Sequence, residues 1–118
     1  MLKGYIEGYY GRLFSQEERS LLLRHMGKLK MDFYLYGPKE DPYHRVLWEK
    51  PYPSKYEKVL EDFVKQSKKN KIRPVFAISP GLKGNKSTAH YRKFLAIKIK
   101  QAKRLGFEEF AIFFDDID

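Results

Sequence analysis

Four short apolar runs recur along this chain, and a segment patterned as a helix separates each from the next. The runs are Gly4 to Tyr9, Phe33 to Tyr36, Pro74 to Ile78 and Phe110 to Phe114. Strands joined through helices cannot form hairpins; they pair in parallel through right-handed crossovers. Parallel strands are covered on both faces, and so read as near-continuous apolar runs rather than alternating ones. The chain is therefore expected to be an α/β domain whose strand C-termini all lie on one face.

The segments between the strands carry local signals of their own. Ser15-Gln16-Glu17-Glu18 reads as a capping box, with Ser15 as N-cap and Glu18 reaching back. Leu22, Met26 and Leu29 follow at helical spacing. Ser54-Lys55-Tyr56-Glu57 reads as a second box, with Leu60, Phe63, Val64 and Ser67 as the buried stripe behind it. A third helix starts near Ser87 or Thr88, and Tyr91, Leu95, Lys98, Ala102 and Leu105 share one of its faces. On that face the Lys98 stem packs while its head snorkels to water. Gly106 is the expected C-cap. A long polar loop from Lys39 to Pro53 separates the second strand from the second helix. The sequence has no low-complexity segment and no repeat beyond the strand–helix rhythm.

Two architectures fit this rhythm, a doubly wound sheet and a (β/α)₈ barrel. Each strand ends in unusual chemistry: Glu7-Gly8, Gly37-Pro38-Lys39, Ser79-Pro80-Gly81 and Asp115-Asp116. A barrel draws its active site from the C-terminal ends of several strands. A doubly wound fold more often concentrates its signature in one Gly-rich loop, and no G-x-G-x-x-G is present. The expected fold is thus the first four strands and three helices of a TIM-type barrel, with residues 1–118 as a single partial domain.

Composition removes several functions. Apolar residues make up 42% of the 118, which supports a packed core. Nine Tyr and nine Phe are many for this length, and core packing is the ordinary use of most of them. Cysteine is absent, so disulfides and thiolate metal sites are excluded. No apolar run reaches the roughly 20 residues that span a bilayer. Met1-Leu2-Lys3 leads straight into the first strand, so no leader peptide is expected in this sequence. The net charge of +9 comes largely from Lys65 to Arg73 and Arg92 to Arg104. Both runs read as solvated helix faces and ends, and no nucleic-acid motif accompanies them.

The strongest chemical signal is Asp115-Asp116, delivered at the end of an apolar strand. Adjacent carboxylates repel, so one is expected to hold its proton while the other stays ionised. Such a pair supplies a general acid and a negative stabiliser in one site. Capping, or cation binding with Asp118 as a third carboxylate, is the plainer reading of the same residues.

Four stretches together narrow the choice. Gly4-Tyr5-Ile6-Glu7-Gly8-Tyr9-Tyr10-Gly11, Tyr34 to Arg45, Ala77 to Leu82 and Phe113 to Asp118 resemble, in order and spacing, the first four strands of glycoside hydrolase family eighty-four. These are the β-N-acetylglucosaminidases of the O-GlcNAcase and bacterial hyaluronidase type. The resemblance implies a retaining, substrate-assisted hydrolysis of terminal β-linked N-acetylglucosamine through an oxazoline, in place of the usual nucleophile and acid/base pair. Asp115 is implied to orient the acetamido group, and Asp116 to be the general acid/base. Gly8 and Lys39 match positions that hold sugar hydroxyls, Gly8 through a carbonyl that no Cβ shields and Lys39 through its ammonium donors. From composition alone, Gly8 is equally a turn glycine and Lys39 an ordinary loop lysine. Tyr9 and Tyr10 line the rim or pack on the barrel top. His44 and Arg45 brace the loop through Asp41, and no histidine is placed in the site.

The resemblance implies no metal and no cofactor. The implied partner is an N-acetylglucosamine-bearing glycan or glycoprotein, with neither nucleic acid nor membrane. Gly37 stands where the family often has Ala, and Glu40 where it often has Asp. The family's later strands supply a Tyr, Asn residues and an Asp that grip the sugar, and nothing here matches them. A half barrel leaves two open sheet edges, so marginal stability or self-association is expected. One closure is a twofold homodimer pairing the fourth strand of each copy with the first of the other. A sugar-binding remnant without turnover and a basic nucleic-acid-binding module are the competing readings.

Overall fold

The computed structural model describes residues 3–7, 15–38, 41–44, 47–80 and 87–112. Four strands and three helices alternate: β1 Gly4–Glu7, α1 Gln16–Lys28, β2 Phe33–Tyr36, α2 Ser54–Lys69, β3 Arg73–Ile78, α3 Thr88–Arg104 and β4 Glu109–Ile112. A 3₁₀ turn, Pro42–His44, interrupts the loop before α2. The strands form one parallel sheet in the order β1-β2-β3-β4.

That order never reverses. Each right-handed crossover therefore steps in the same direction and lays its helix on the same face. The register shows which residues meet those helices. Tyr5 pairs with Tyr34, Glu7 with Tyr36, Tyr36 with Phe76 and Phe76 with Phe110, so these side chains share the helix-bearing face. Ile6, Leu35, Val75, Ala77 and Ala111 occupy the other. The core lies between sheet and helices, where Tyr34, Phe76, Leu23, Leu60, Val64, Ala102 and Phe107 join one buried cluster. Aromatic rings run through it: Tyr34 to Phe63 at 4.8 Å, Phe76 to Phe107 at 5.2 Å and Tyr52 to Phe76 at 6.0 Å between centroids. Much of the aromatic content is thereby used in packing.

Helix ends agree with the sequence where they are local. The Ser15 hydroxyl accepts from Glu18 N at 3.1 Å and the Glu18 carboxylate accepts from Ser15 N at 2.9 Å, completing the capping box. Ser87 caps α3 by accepting from His90 N. Leu105, one residue before the expected Gly106, is the C-cap of α3, and Gly106 follows it with φ of 112°. A Cβ at Gly106 would lie 2.8 Å from Val64 Cγ1, so both conformation and space call for glycine.

Three expectations are corrected. The second box does not form: Pro53 is the N-cap of α2, Ser54 is already helical, and no side chain caps the end. The Glu57 carboxylate is drawn away to Gln101 and Arg104 on α3. In α1, Leu29 is 71% exposed, and the buried stripe is Arg19, Leu23 and Met26. Lys98 does not snorkel; it is 1% exposed. The stripe Leu60, Phe63, Val64 and Ser67 of α2 is buried as expected.

Candidate active site

The parallel register gathers the strand C-termini on one rim. Glu7 stands beside Tyr36 and Ile78 beside Ile112. Glu7 directly precedes Gly8, Pro38 directly precedes Lys39, and Ile112 lies three residues before Asp115. Gly8, Lys39, Asp115 and Asp116 themselves lie outside the described residues. So do Tyr9, Tyr10, Arg45, Asp118 and the side chain of His44.

Two buried carboxylates sit below this rim. The first is Glu7, 2% exposed on the helix-bearing face. Helix α1 turns Arg19 toward it, and the guanidinium forms a bidentate pair: Nε donates to Oε1 at 3.0 Å and Nη2 to Oε2 at 2.9 Å. Tyr34 Oη adds a third bond to Oε1 at 2.6 Å. Burial pushes the Tyr34 phenol far above its usual range, and the Glu7 charge adds to that. For Arg19, burial pulls downward, but the Glu7 hydrogen bonds and nearby charges outweigh it and hold the guanidinium above its ordinary value.

The second is Asp41, 0% exposed. Tyr36 and Tyr52 each donate a hydroxyl to Oδ2 at 2.7 Å, and Tyr43 N donates to Oδ1 at 2.8 Å. Burial first, and then the Asp41 charge, raise both phenols well above normal. The Asp41 backbone N–H donates to Pro38 O at 3.1 Å. Arg19 joins the two clusters, its Cζ 5.1 Å from the Tyr36 ring centroid. Likewise Gly37 N donates to Glu7 O at 2.9 Å, tying the ends of β1 and β2 together.

Lys98 completes the support from α3. Its ammonium donates to Tyr43 O at 2.6 Å and also to Lys50 O. It also lies 4.5 Å from the centroid of the Tyr52 ring. Burial pushes Lys98 down to about 8, with Asp41 pulling the other way. Next to it on α3, Gln101 brackets Tyr52: Oε1 accepts from Tyr52 N at 2.7 Å and Nε2 donates to Tyr52 O at 3.0 Å. The described residues of the stretch 41–53 are thus bound from β2 and α3 at once. Trp48 packs flat on Tyr91 of α3, 5.5 Å between centroids.

Chemically, Glu7 and Asp41 act as braces. From the described residues each accepts three hydrogen bonds while buried, an arrangement that secures position rather than proton transfer. Ser79, at the end of β3, is different: its hydroxyl is buried and bonds to none of the described residues. Among the described residues no group of three His, Cys, Asp or Glu side chains could hold a metal ion. No helix among them is long and apolar enough to cross a membrane.

Signals for the braces existed in the sequence. Glu7 is a lone charge inside an apolar strand, and Arg19 falls four residues before Leu23 on the buried stripe. Neither signal marks a buried charge by itself, and nothing in the spacing pairs the two. Asp41 was expected to brace the loop with His44 and Arg45; its described partners are the Tyr36 and Tyr52 hydroxyls and Tyr43 N, while Arg45 and the His44 side chain lie outside the described residues.

Known proteins resemble this chain along its whole length. Residues 3–118 match the family described as beta-N-acetylglucosaminidase. Protein O-GlcNAcase of Rattus norvegicus is 36% identical over 117 residues, covering 99% of this chain and 13% of that protein. The Mus musculus protein of the same name matches to the same extent. The solved structure of CpGH84B superposes with a TM-score of 0.89 at 40% identity, covering 99% of this chain and 21% of that one. The chain therefore spans a small part of the relatives it matches. A family match across nearly every residue, joined to a similar parallel sheet, places this chain in the beta-N-acetylglucosaminidase family.

Proposed function

We propose that residues 1–118 are the N-terminal half of a (β/α)₈ catalytic barrel that removes terminal β-linked N-acetylglucosamine with retention of configuration. The single observation that carries this reading is the rim: four parallel strand ends, each leading into a stretch that resembles the family's site. A sheet whose order never reverses, with its helices on one face, supports barrel topology over a doubly wound sheet.

In the proposed mechanism the substrate supplies its own nucleophile. The 2-acetamido oxygen attacks the anomeric carbon, the glycosidic bond breaks, and an oxazoline forms. Asp115 accepts the acetamido N–H and stabilises the charge that develops there. Asp116 gives its proton to the leaving oxygen, then takes one from the water that opens the oxazoline. The Gly8 carbonyl and the Lys39 ammonium hold sugar hydroxyls. The substrate class is an N-acetylglucosamine-bearing glycan or glycoprotein.

Hydrolysis of an aryl β-N-acetylglucosaminide tests the reading. Asp116→Asn is expected to lower kcat by roughly 10²–10⁴-fold on a substrate whose leaving group needs protonation. Turnover unchanged in that variant would remove Asp116 from the mechanism.

A further inference from the structure

We propose that the rim opposite the strand C-termini carries a docking site for a carboxylate-rich segment of a partner polypeptide, formed where α1 and α2 end. Arg24, Lys28, Lys69 and Lys71 line a hollow of about 410 Å³ there, together with Gly27 and Asn70. The two helix ends meet closely: a Cβ at Gly27 would stand 3.0 Å from Asn70 O. Among the described residues no carboxylate lines the hollow, and none of its four cations forms an ion pair. Their neighbours do. Lys68 pairs with Glu108 at 3.1 Å and Arg73 with Glu109 at 3.6 Å, while the Asp32 carboxylate accepts from Lys3 N at 2.8 Å. These carboxylates are engaged outside the hollow, and its four cations remain for an external anion.

The backbone supplies an independent observation. Lys30 and Lys71 hold left-handed conformations, with φ of 55° and 60°. Each follows a C-cap, Leu29 in α1 and Asn70 in α2. The same position after α3 is Gly106, the residue type that this conformation favours. A lysine there strains the backbone. Offsetting the helix dipoles accounts for Lys28 and Lys69 in the last turns, but it does not call for lysine at the strained positions. Positive charge is thus kept on this rim against local preference, which points to a use for it.

The lining selects a polypeptide. It contains no aromatic ring on which a nucleic-acid base could stack. Its cations lie in a recess between two helix ends, whereas a lipid surface is met by a basic helix with a broad apolar face. The hollow has the volume of a cleft that takes a few side chains. Exposed Leu29 follows Lys28 and adds one apolar contact that a peptide side chain can cover.

The test is fluorescence anisotropy of a labelled oligoglutamate peptide with the full-length protein containing this chain, at low and at physiological salt. Binding is expected at low salt and should weaken as salt rises. Lys28→Glu with Lys71→Glu should raise Kd about tenfold or more. Lys58→Glu with Arg92→Glu, the same change of charge at exposed positions of α2 and α3, should raise it less than about twofold. Where the first pair does not fold, Lys71→Gly decides. Glycine suits the left-handed backbone, so this variant should raise Kd about threefold without lowering Tm.

Equal weakening by both pairs would overturn the inference, because the net charge of +9 alone would then draw the peptide. So would an absence of binding at low salt, or an unchanged Kd in Lys71→Gly. Single-stranded oligodeoxynucleotide and phosphatidylserine–phosphatidylcholine vesicles complete the test. If either binds through Lys28 and Lys71 more tightly than oligoglutamate, the hollow serves a different partner and the assignment falls.

Discussion

Glu7 and Arg19 show how a buried ion pair constrains its own replacement. Removing one partner strands the other charge in a site with little access to water, whereas removing both leaves only a repacking problem. Arg19→Met is expected to cost about 3–5 kcal/mol in urea unfolding, and Glu7→Gln added to it should recover much of that loss. A loss below about 1 kcal/mol would mean that water reaches Glu7 in the variant. Lys98 poses the same problem through pH. Its folded pKa falls from the ordinary 10.5 to about 8. Between those values the unfolded chain holds more protons, so stability at this site rises with pH. The burial cost is full below about pH 8 and is relieved toward pH 10.5. Wild type should gain stability on Lys98→Met as pH is raised across that window; a constant difference would show that Lys98 titrates normally. None of this was legible from the heptad-like spacing of α3. Spacing placed Lys98 on the buried face, but only the fold shows that two carbonyls wait there for its ammonium.

At the scale of elements, local signals were read correctly and long-range competition was not. The Ser15 box needs only residues within one turn, and it forms as the sequence predicts. The Ser54 box had the same pattern and failed, because Gln101 and Arg104 arrive from α3 and claim Glu57. Ser15→Ala should therefore destabilise by about 1 kcal/mol, while Ser54→Ala should be close to neutral. Equal losses by chemical denaturation would contradict the difference between the two caps. Gly106→Ala joins a left-handed backbone to a 2.8 Å contact with Val64 and should cost more than a cap. Strand positions were legible because parallel strands are so continuously apolar. The tyrosine cage of Asp41 was not legible, since its members are spread from residue 36 to residue 52.

Across the whole molecule, charge and topology act on different faces. The net charge of +9 raises the folded state through self-repulsion, so Tm is expected to rise as salt is increased from low to physiological strength. A falling Tm would mean that ion pairs such as Lys68–Glu108 outweigh the repulsion. The overall plan was legible because the strand–helix rhythm admits few topologies, and the unreversed order narrowed them further. Every crossover also returns to the opposite rim, where helices end and strands begin. There Arg24, Lys28, Lys69 and Lys71 line a basic hollow with Gly27 and Asn70. This polarity has a practical use. Since the chain has no cysteine, Lys69→Cys would introduce its single thiol on the side away from Glu7 and Pro38. Tethered there to a bead or an electrode, the protein would present its strand ends outward, away from the support.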